Sequence, residues 1–251
     1  MAVRLRFMAF LMVVAILAAC SSGKDGMPRK SARSHYLLGA SAMAENNPTE
    51  ALKEFLLAEK EDPDNAEIQA NLAKAYMQKR AFDLAEKHYL KAIDVSDGNP
   101  QYHNNLGALY LTMERYDDAI GMFRQAAENL LFATPETGWT GIGLAYYKKH
   151  DYAGAEQYYL KALSANPRYA QAQFRLGELY YNQDRPVEAV SAFAKAVELA
   201  PRMADAHFWL GLASMKTQDN ARARAAFQET IRLAPESEQA RLARNYLKIL
   251  K

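Results

Sequence analysis

Apolar residues recur three and four positions apart along most of the chain, in runs of about a dozen residues broken by short polar turns, a helical periodicity. The clearest run is Thr140-Gly141-Ile142-Gly143-Leu144-Ala145-Tyr146-Tyr147. It is followed by Tyr152-Ala153-Gly154-Ala155-Glu156-Gln157-Tyr158-Tyr159-Leu160-Lys161-Ala162-Leu163 and closed by Asn166-Pro167. It predicts two helices about a polar turn, with a proline that cannot continue the second. The frame recurs. A small residue stands at Gly39, Ala73, Gly107, Gly143, Gly177 and Gly211, in steps of 34, 34, 36, 34 and 34 residues. Leu38, Leu72, Leu106, Ile142, Leu176 and Leu210 precede it, and Tyr76, Tyr110, Tyr146 and Tyr180 follow three residues after the middle four. Each predicted second helix carries a small residue (Ala51, Ala85, Ala119, Ala155, Ala189, Ala223) and an aromatic four residues on (Phe55, Tyr89, Phe123, Tyr159, Phe193, Phe227).

This pattern resembles the tetratricopeptide repeat, in phase from about Ser31 to Pro235. The resemblance implies an all-α, right-handed superhelical solenoid of about six repeats over residues 31–235. The physics agrees: small residues let two helices approach, an aromatic fills the space beside them, and stacking buries faces that one pair leaves open. The third unit departs from the frame by two residues. Its second helix is expected to run on through Glu128-Asn129-Leu130-Leu131-Phe132, with Pro135 following, so that the two extra residues make a longer helix or loop. Residues 236–251 predict one more helix, with Leu242, Tyr246, Leu247 and Leu250 at helical spacing, covering the last repeat.

The N-terminus has a different pattern. Arg4 and Arg6 precede an apolar run, Phe7 to Ala19, that is too short for an ordinary membrane span. It ends Leu17-Ala18-Ala19-Cys20, which resembles a bacterial lipobox. That implies a signal peptide over residues 1–19 and lipidation of Cys20, with a plain secretory signal as the alternative. Cys20 is the single cysteine, so an internal disulfide is excluded. Ser21 and Ser22 follow it and favour the outer membrane, on the periplasmic side. Residues 20–30 then read as lipidated cysteine and flexible tether, rich in Gly, Pro and charge. Losing residues 1–19 removes two arginines and no acid from a net charge of +2. The balanced remainder offers no basic excess for nucleic acid.

Candidate chemistry is sparse. The histidines, His35, His88, His103, His150 and His207, are scattered, with none at i, i+4. His35, His103 and His207 share a repeat position that Trp139 fills in the fourth unit, so they read as packing residues rather than metal ligands. No phosphate-binding loop or catalytic constellation stands out, and no cofactor, metal or enzyme activity is expected. Binding remains. In this repeat family the first helices line the concave face, and there Tyr147, Phe174, Arg175, Glu178, Tyr181, Phe208, Trp209, Leu212 and Met215 form an aromatic-rich strip expected to bind protein, the alternative for any one of them being packing against the neighbouring repeat's second helix. The strip in units two and three is more polar, with Asn71, Lys74, Gln78, Asn104, Asn105 and Thr112. Some repeats of this kind clamp a partner's terminal carboxylate. Of the corresponding positions, Tyr36, Ala40, Asn71, Gln101 and Asn105, only Asn71 fits.

Six such repeats behind a lipobox resemble the type IV pilus biogenesis and stability lipoprotein family, the pilotins of the pilus secretin. Leu131-Phe132-Ala133-Thr134-Pro135-Glu136 is similar to that family's irregular junction. The resemblance implies a monomeric, non-enzymatic lipoprotein that binds a secretin subunit and promotes its targeting or multimerisation. The alternative is a general cell-envelope scaffold for peptidoglycan enzymes, outer-membrane protein assembly or polysaccharide export.

Overall fold

The computed structural model describes residues 26–250, which form 13 helices and no strand. In chain order these are α1 (Arg33–Ala44), α2 (Pro48–Glu61), α3 (Ala66–Gln78), α4 (Phe82–Val95), α5 (Pro100–Thr112), α6 (Tyr116–Glu128), α7 (Pro135–Lys148), α8 (Tyr152–Ala165), α9 (Ala170–Asn182), α10 (Pro186–Leu199), α11 (Ala204–Lys216), α12 (Asn220–Leu233) and α13 (Glu238–Ile249). The first twelve make six helix-turn-helix pairs in the predicted register. The fold is an all-α solenoid of repeated pairs. The chain divides into two compact units, one ending at Tyr102 and one beginning at His103.

Each pair closes the same way. The six turns from first to second helix place Asn46, Arg80, Glu114, His150, Asp184 and Gln218 at φ between 56° and 62°. The next residue's N–H reaches back five residues, as in Asn47 N to Ala42 O (2.8 Å) and Asp151 N to Tyr146 O (2.9 Å). This left-handed closure satisfies carbonyls that a helix end leaves free. Helix starts are capped at several pairs. Asn47 accepts from Glu50 N with Pro48 at the first helical position, as the Asn-Pro sequence suggests, and Asp151, Asp219 and Ser237 cap their helices alike.

The first unit packs Tyr36, Phe55, Ala58, Ile68, Leu72 and Ala75 into one core. Residues 26–30 belong to this unit: Pro28 is buried, Arg29 N donates to Asp62 Oδ2 (2.9 Å), and Asn65 Nδ2 donates to Gly26 O (3.1 Å). The later half of the expected tether is therefore docked, because the Arg29 guanidinium pairs with Asp62 and the two backbone groups find partners. The signal peptide and Cys20 lie outside the described residues.

In the second unit the repeated close approach is explicit. A Cβ on Gly143 would stand 2.5 Å from Tyr159 Cε1, so only glycine admits the ring there. Of the two outcomes expected for the third pair, a longer second helix or a loop, the structure has the loop. The helix α6 stops at Glu128, and residues 129–134 form an irregular loop. Asn129 turns the chain, accepting from Leu131 N at its side chain (2.8 Å) and from Phe132 N at its carbonyl (3.0 Å). Pro135 then starts α7 afresh. The last helix, α13, caps its neighbours. Tyr246 stacks on Phe227 at 5.2 Å, Leu250 is buried, and Arg224 donates to the Leu250 carbonyl.

Candidate protein-binding surface

In the second unit α9 touches the first helices before and after it, α7 and α11, as well as the second helices α8 and α10. Three first helices thus lie side by side and present one surface. Tyr147, Arg175, Glu178, Tyr181, Trp209, Leu212 and Met215 all keep partial exposure on these helices, with Lys148 and Asn182 exposed beside them. Asn182 Nδ2 donates to the Tyr147 hydroxyl (2.5 Å) and so bridges α9 to α7. Tyr181 meets Trp209 edge to face, and Lys216 Nζ sits 4.4 Å from the Tyr181 ring while pairing with Asp184 (2.9 Å).

Arg175 and Glu178 pair at 2.7 Å, one turn apart on α9. Burial pushes the Glu178 carboxyl above the ordinary carboxylate range, against the pull of Arg175. Burial first, then the nearby Glu178 charge, raises the Tyr147 phenol, which therefore stays a neutral hydroxyl. Such a surface offers aromatic faces, an amide and fixed charges, the groups that hold an extended chain by stacking and hydrogen bonds.

Two members of the expected strip are not on it. Phe174 and Phe208 are 5% and 6% exposed. Phe174 packs on Phe193 inside its helix pair, and Phe208 packs on Phe227 inside its own pair and on Tyr246 of α13. They sit three residues before the repeat glycine, as do the buried Tyr36, Ala70 and Thr140. Small residues at that position were the signal that it faces inward.

The first unit has a further site, of which the sequence pattern singles out only the polar members Lys74 and Gln78. Met43, Lys74, Met77 and Gln78 line an open cavity of about 380 Å³. Met43 and Met77 stand four residues after the small repeat residue, the position of Tyr147, Tyr181 and Met215. That shared register could have found them. Asn71 spends its amide on its own helix, donating to Glu67 O (2.8 Å).

The histidines have varied roles. His207 is buried with Nε2 3.0 Å from Pro201 O. His35 is half-buried, 2.7 Å from Glu54. His88 is buried against Gln69 Oε1 (2.7 Å) and stacked on Tyr76. Among the described residues, no group of three or more His, Cys, Asp or Glu could hold a metal ion.

Comparison with known proteins agrees with this architecture. Models of the tetratricopeptide repeat match residues 64–131, 140–202 and 188–238. The chain is 25% identical over 178 residues to the type IV pilus assembly protein PilF of Pseudomonas aeruginosa, covering 68% of this chain and 71% of that protein. A co-chaperone of the heat-shock cognate protein, sgt12 of Aspergillus fumigatus, is 31% identical over 131 residues, but only 36% of its length is covered. Among solved structures, PilW, described as a widely conserved type IV pilus biogenesis factor, superposes with a TM-score of 0.72 at 19% identity, covering 85% of this chain and 98% of that one. The P. aeruginosa PilF structure gives 0.69 at 20% identity, covering 86% and 98%. Repeat register, closing turns and matched models together place the chain in the tetratricopeptide-repeat family.

Proposed function

We propose that this chain is a non-enzymatic lipoprotein of type IV pilus assembly, held by acylated Cys20 in the inner leaflet of the outer membrane. In this reading its second-unit surface binds a segment of a secretin subunit and promotes the secretin's targeting or multimerisation. The observation that carries the reading is the sequence match to PilF over most of both chains. The lipobox-like Leu17-Ala18-Ala19-Cys20 supports the anchor. The PilW and PilF structures support the fold on which the reading rests. A carboxylate clamp of the co-chaperone kind has no support, because only Asn71 of its five positions fits and its amide is engaged.

The test has two arms. Cys20→Ala leaves the fold intact and is expected to deplete assembled secretin from the outer membrane; unchanged secretin rings would overturn the reading. Affinity capture from detergent-solubilised envelopes is expected to recover the secretin. Recovery of peptidoglycan enzymes or export components without secretin would instead favour a general envelope scaffold.

A further inference from the structure

Leu130 and Leu131 are 101% and 87% exposed, the two most exposed large apolar side chains among the described residues. They are not on a loose strand. Asn129 fixes the turn before them, and Phe132, 7% exposed, anchors the chain behind them. Thr137 N and Oγ1 both donate to Thr134 O (3.0 and 2.7 Å), so the return into α7 is fixed too. The fold holds two adjacent leucines out into solvent on a tip closed at both ends.

The rest of that edge differs in character. Leu131, Pro167 and Pro201 each fall 24 residues after a repeat glycine, so the three loops from second to first helix follow one another along one edge of the second unit. The other two loops carry Arg168 and Arg202, both exposed and neither in an ion pair among the described residues. The nearby acids are Glu128, Glu136, Glu198, Asp205 and Glu236. Glu136 is buried and accepts from Asn166 (2.8 Å), and Glu198 pairs with Lys195 (2.9 Å), which leaves Glu128, Asp205 and Glu236 exposed beside the two arginines. Leucines that reach beyond the surface, followed by unpaired guanidinium groups, match a phospholipid interface. The leucines enter the acyl boundary and the arginines meet headgroup phosphates. A protein pocket would call for a polar rim around the apolar pair; here the charges are strung out along the edge.

We infer that this edge of the second unit, through Leu130, Leu131, Arg168 and Arg202, rests on a phospholipid bilayer. The inference rests on the lipid-anchor reading of Cys20. Only five residues separate Cys20 from Gly26, where the chain meets the first unit, so that attachment point lies within roughly 20 Å of the anchor. A tether this short keeps the bilayer at high local concentration, so weak contacts suffice.

The experiment replaces the acyl anchor. The chain from residue 20 onward, carrying Cys20→Ser and an N-terminal histidine tag, is held on phosphatidylethanolamine–phosphatidylglycerol vesicles that contain a nickel-chelating lipid. Ala133→Cys, then the only cysteine, carries an environment-sensitive fluorophore. The expected result is a blue shift with about a twofold gain in emission on tethering. Leu130→Ser with Leu131→Ser abolishes it. Arg168→Gln with Arg202→Gln reduces it and removes its salt dependence. A label at Ala153, at the opposite ends of the helices, stays unchanged. No shift at position 133, or a shift that survives the serine pair, overturns the inference. So does a serine pair that leaves the vesicle signal unchanged while losing a captured protein. Palmitate labelling of the native chain reads the anchor separately, so its failure would sink the lipoprotein reading and leave the vesicle result standing.

Discussion

Tyr181 and Trp209, on the first helices of successive pairs, meet edge to face with ring centroids 5.2 Å apart. Trp209 also stacks on Phe193 at 6.1 Å, so it is part platform and part core. The two residues should therefore separate on mutation. Tyr181→Ala is expected to weaken secretin capture about tenfold, as for an aromatic at a binding hot spot, with a smaller loss of stability because its ring meets that of Trp209, whereas Trp209 meets Tyr181, Phe193 and Phe208. Trp209→Ala is expected to cost about 2 kcal/mol of stability as well, since a cavity opens beside Phe193. Quantitative capture, paired with urea unfolding of each variant, distinguishes them.

The close approach at Gly143 gives a sharper contrast. A methyl there meets the Tyr159 ring, whereas at Gly121, inside α6, it meets nothing within 4 Å. Gly143→Ala should destabilise by about 1–3 kcal/mol through overpacking. Gly121→Ala should stabilise by about 0.5–1 kcal/mol through helix propensity. The two midpoints in denaturant should move in opposite directions.

The left-handed turn residues also sort. Asn tolerates that conformation, and Gln does not do so readily. Gln218→Gly is therefore expected to raise stability by about 1 kcal/mol, and Asn46→Gly to change it by only a few tenths. Thermal unfolding measures both.

His88 predicts a pH dependence. Burial holds its imidazole below the ordinary value of 6.5; the Glu59 carboxylate opposes this, and Lys87 and Lys91 add to it. The unfolded chain therefore takes up the proton first as pH falls. The stabilisation is fully present above 6.5 and is lost as pH drops through the folded value. His88→Gln should flatten the stability profile below about pH 6.5 relative to the parent chain. An unchanged slope would show that another group controls it.

The helix pairs were legible because spacing alone fixes them. Gly143, Tyr159 and Pro167 recur in phase with their counterparts, and no long-range contact is needed to see it. The turns were partly hidden, since Asn46, Arg80, Glu114, His150, Asp184 and Gln218 share a backbone conformation but no chemistry. Partial exposure on the first helices was legible at Tyr147 and Arg175 from their repeat positions. Phe174 and Phe208 join the expected strip because they stand on first helices, whereas the small Ala70 and Thr140 at the same repeat position point inward. The end of α6 escaped because Leu130 and Leu131 continue an apolar run. Only the three-dimensional course of the chain shows that Asn129 turns it out of the helix.

The six turns between paired helices close through backbone hydrogen bonds, whatever side chain stands at the tip. None of the six tip residues is glycine, and no two are alike. Each turn thus keeps its backbone shape across six different side chains, at a modest cost in stability that depends on the side chain. In each unit that rim can be rewritten residue by residue, changing what the protein displays there without changing the course of the chain.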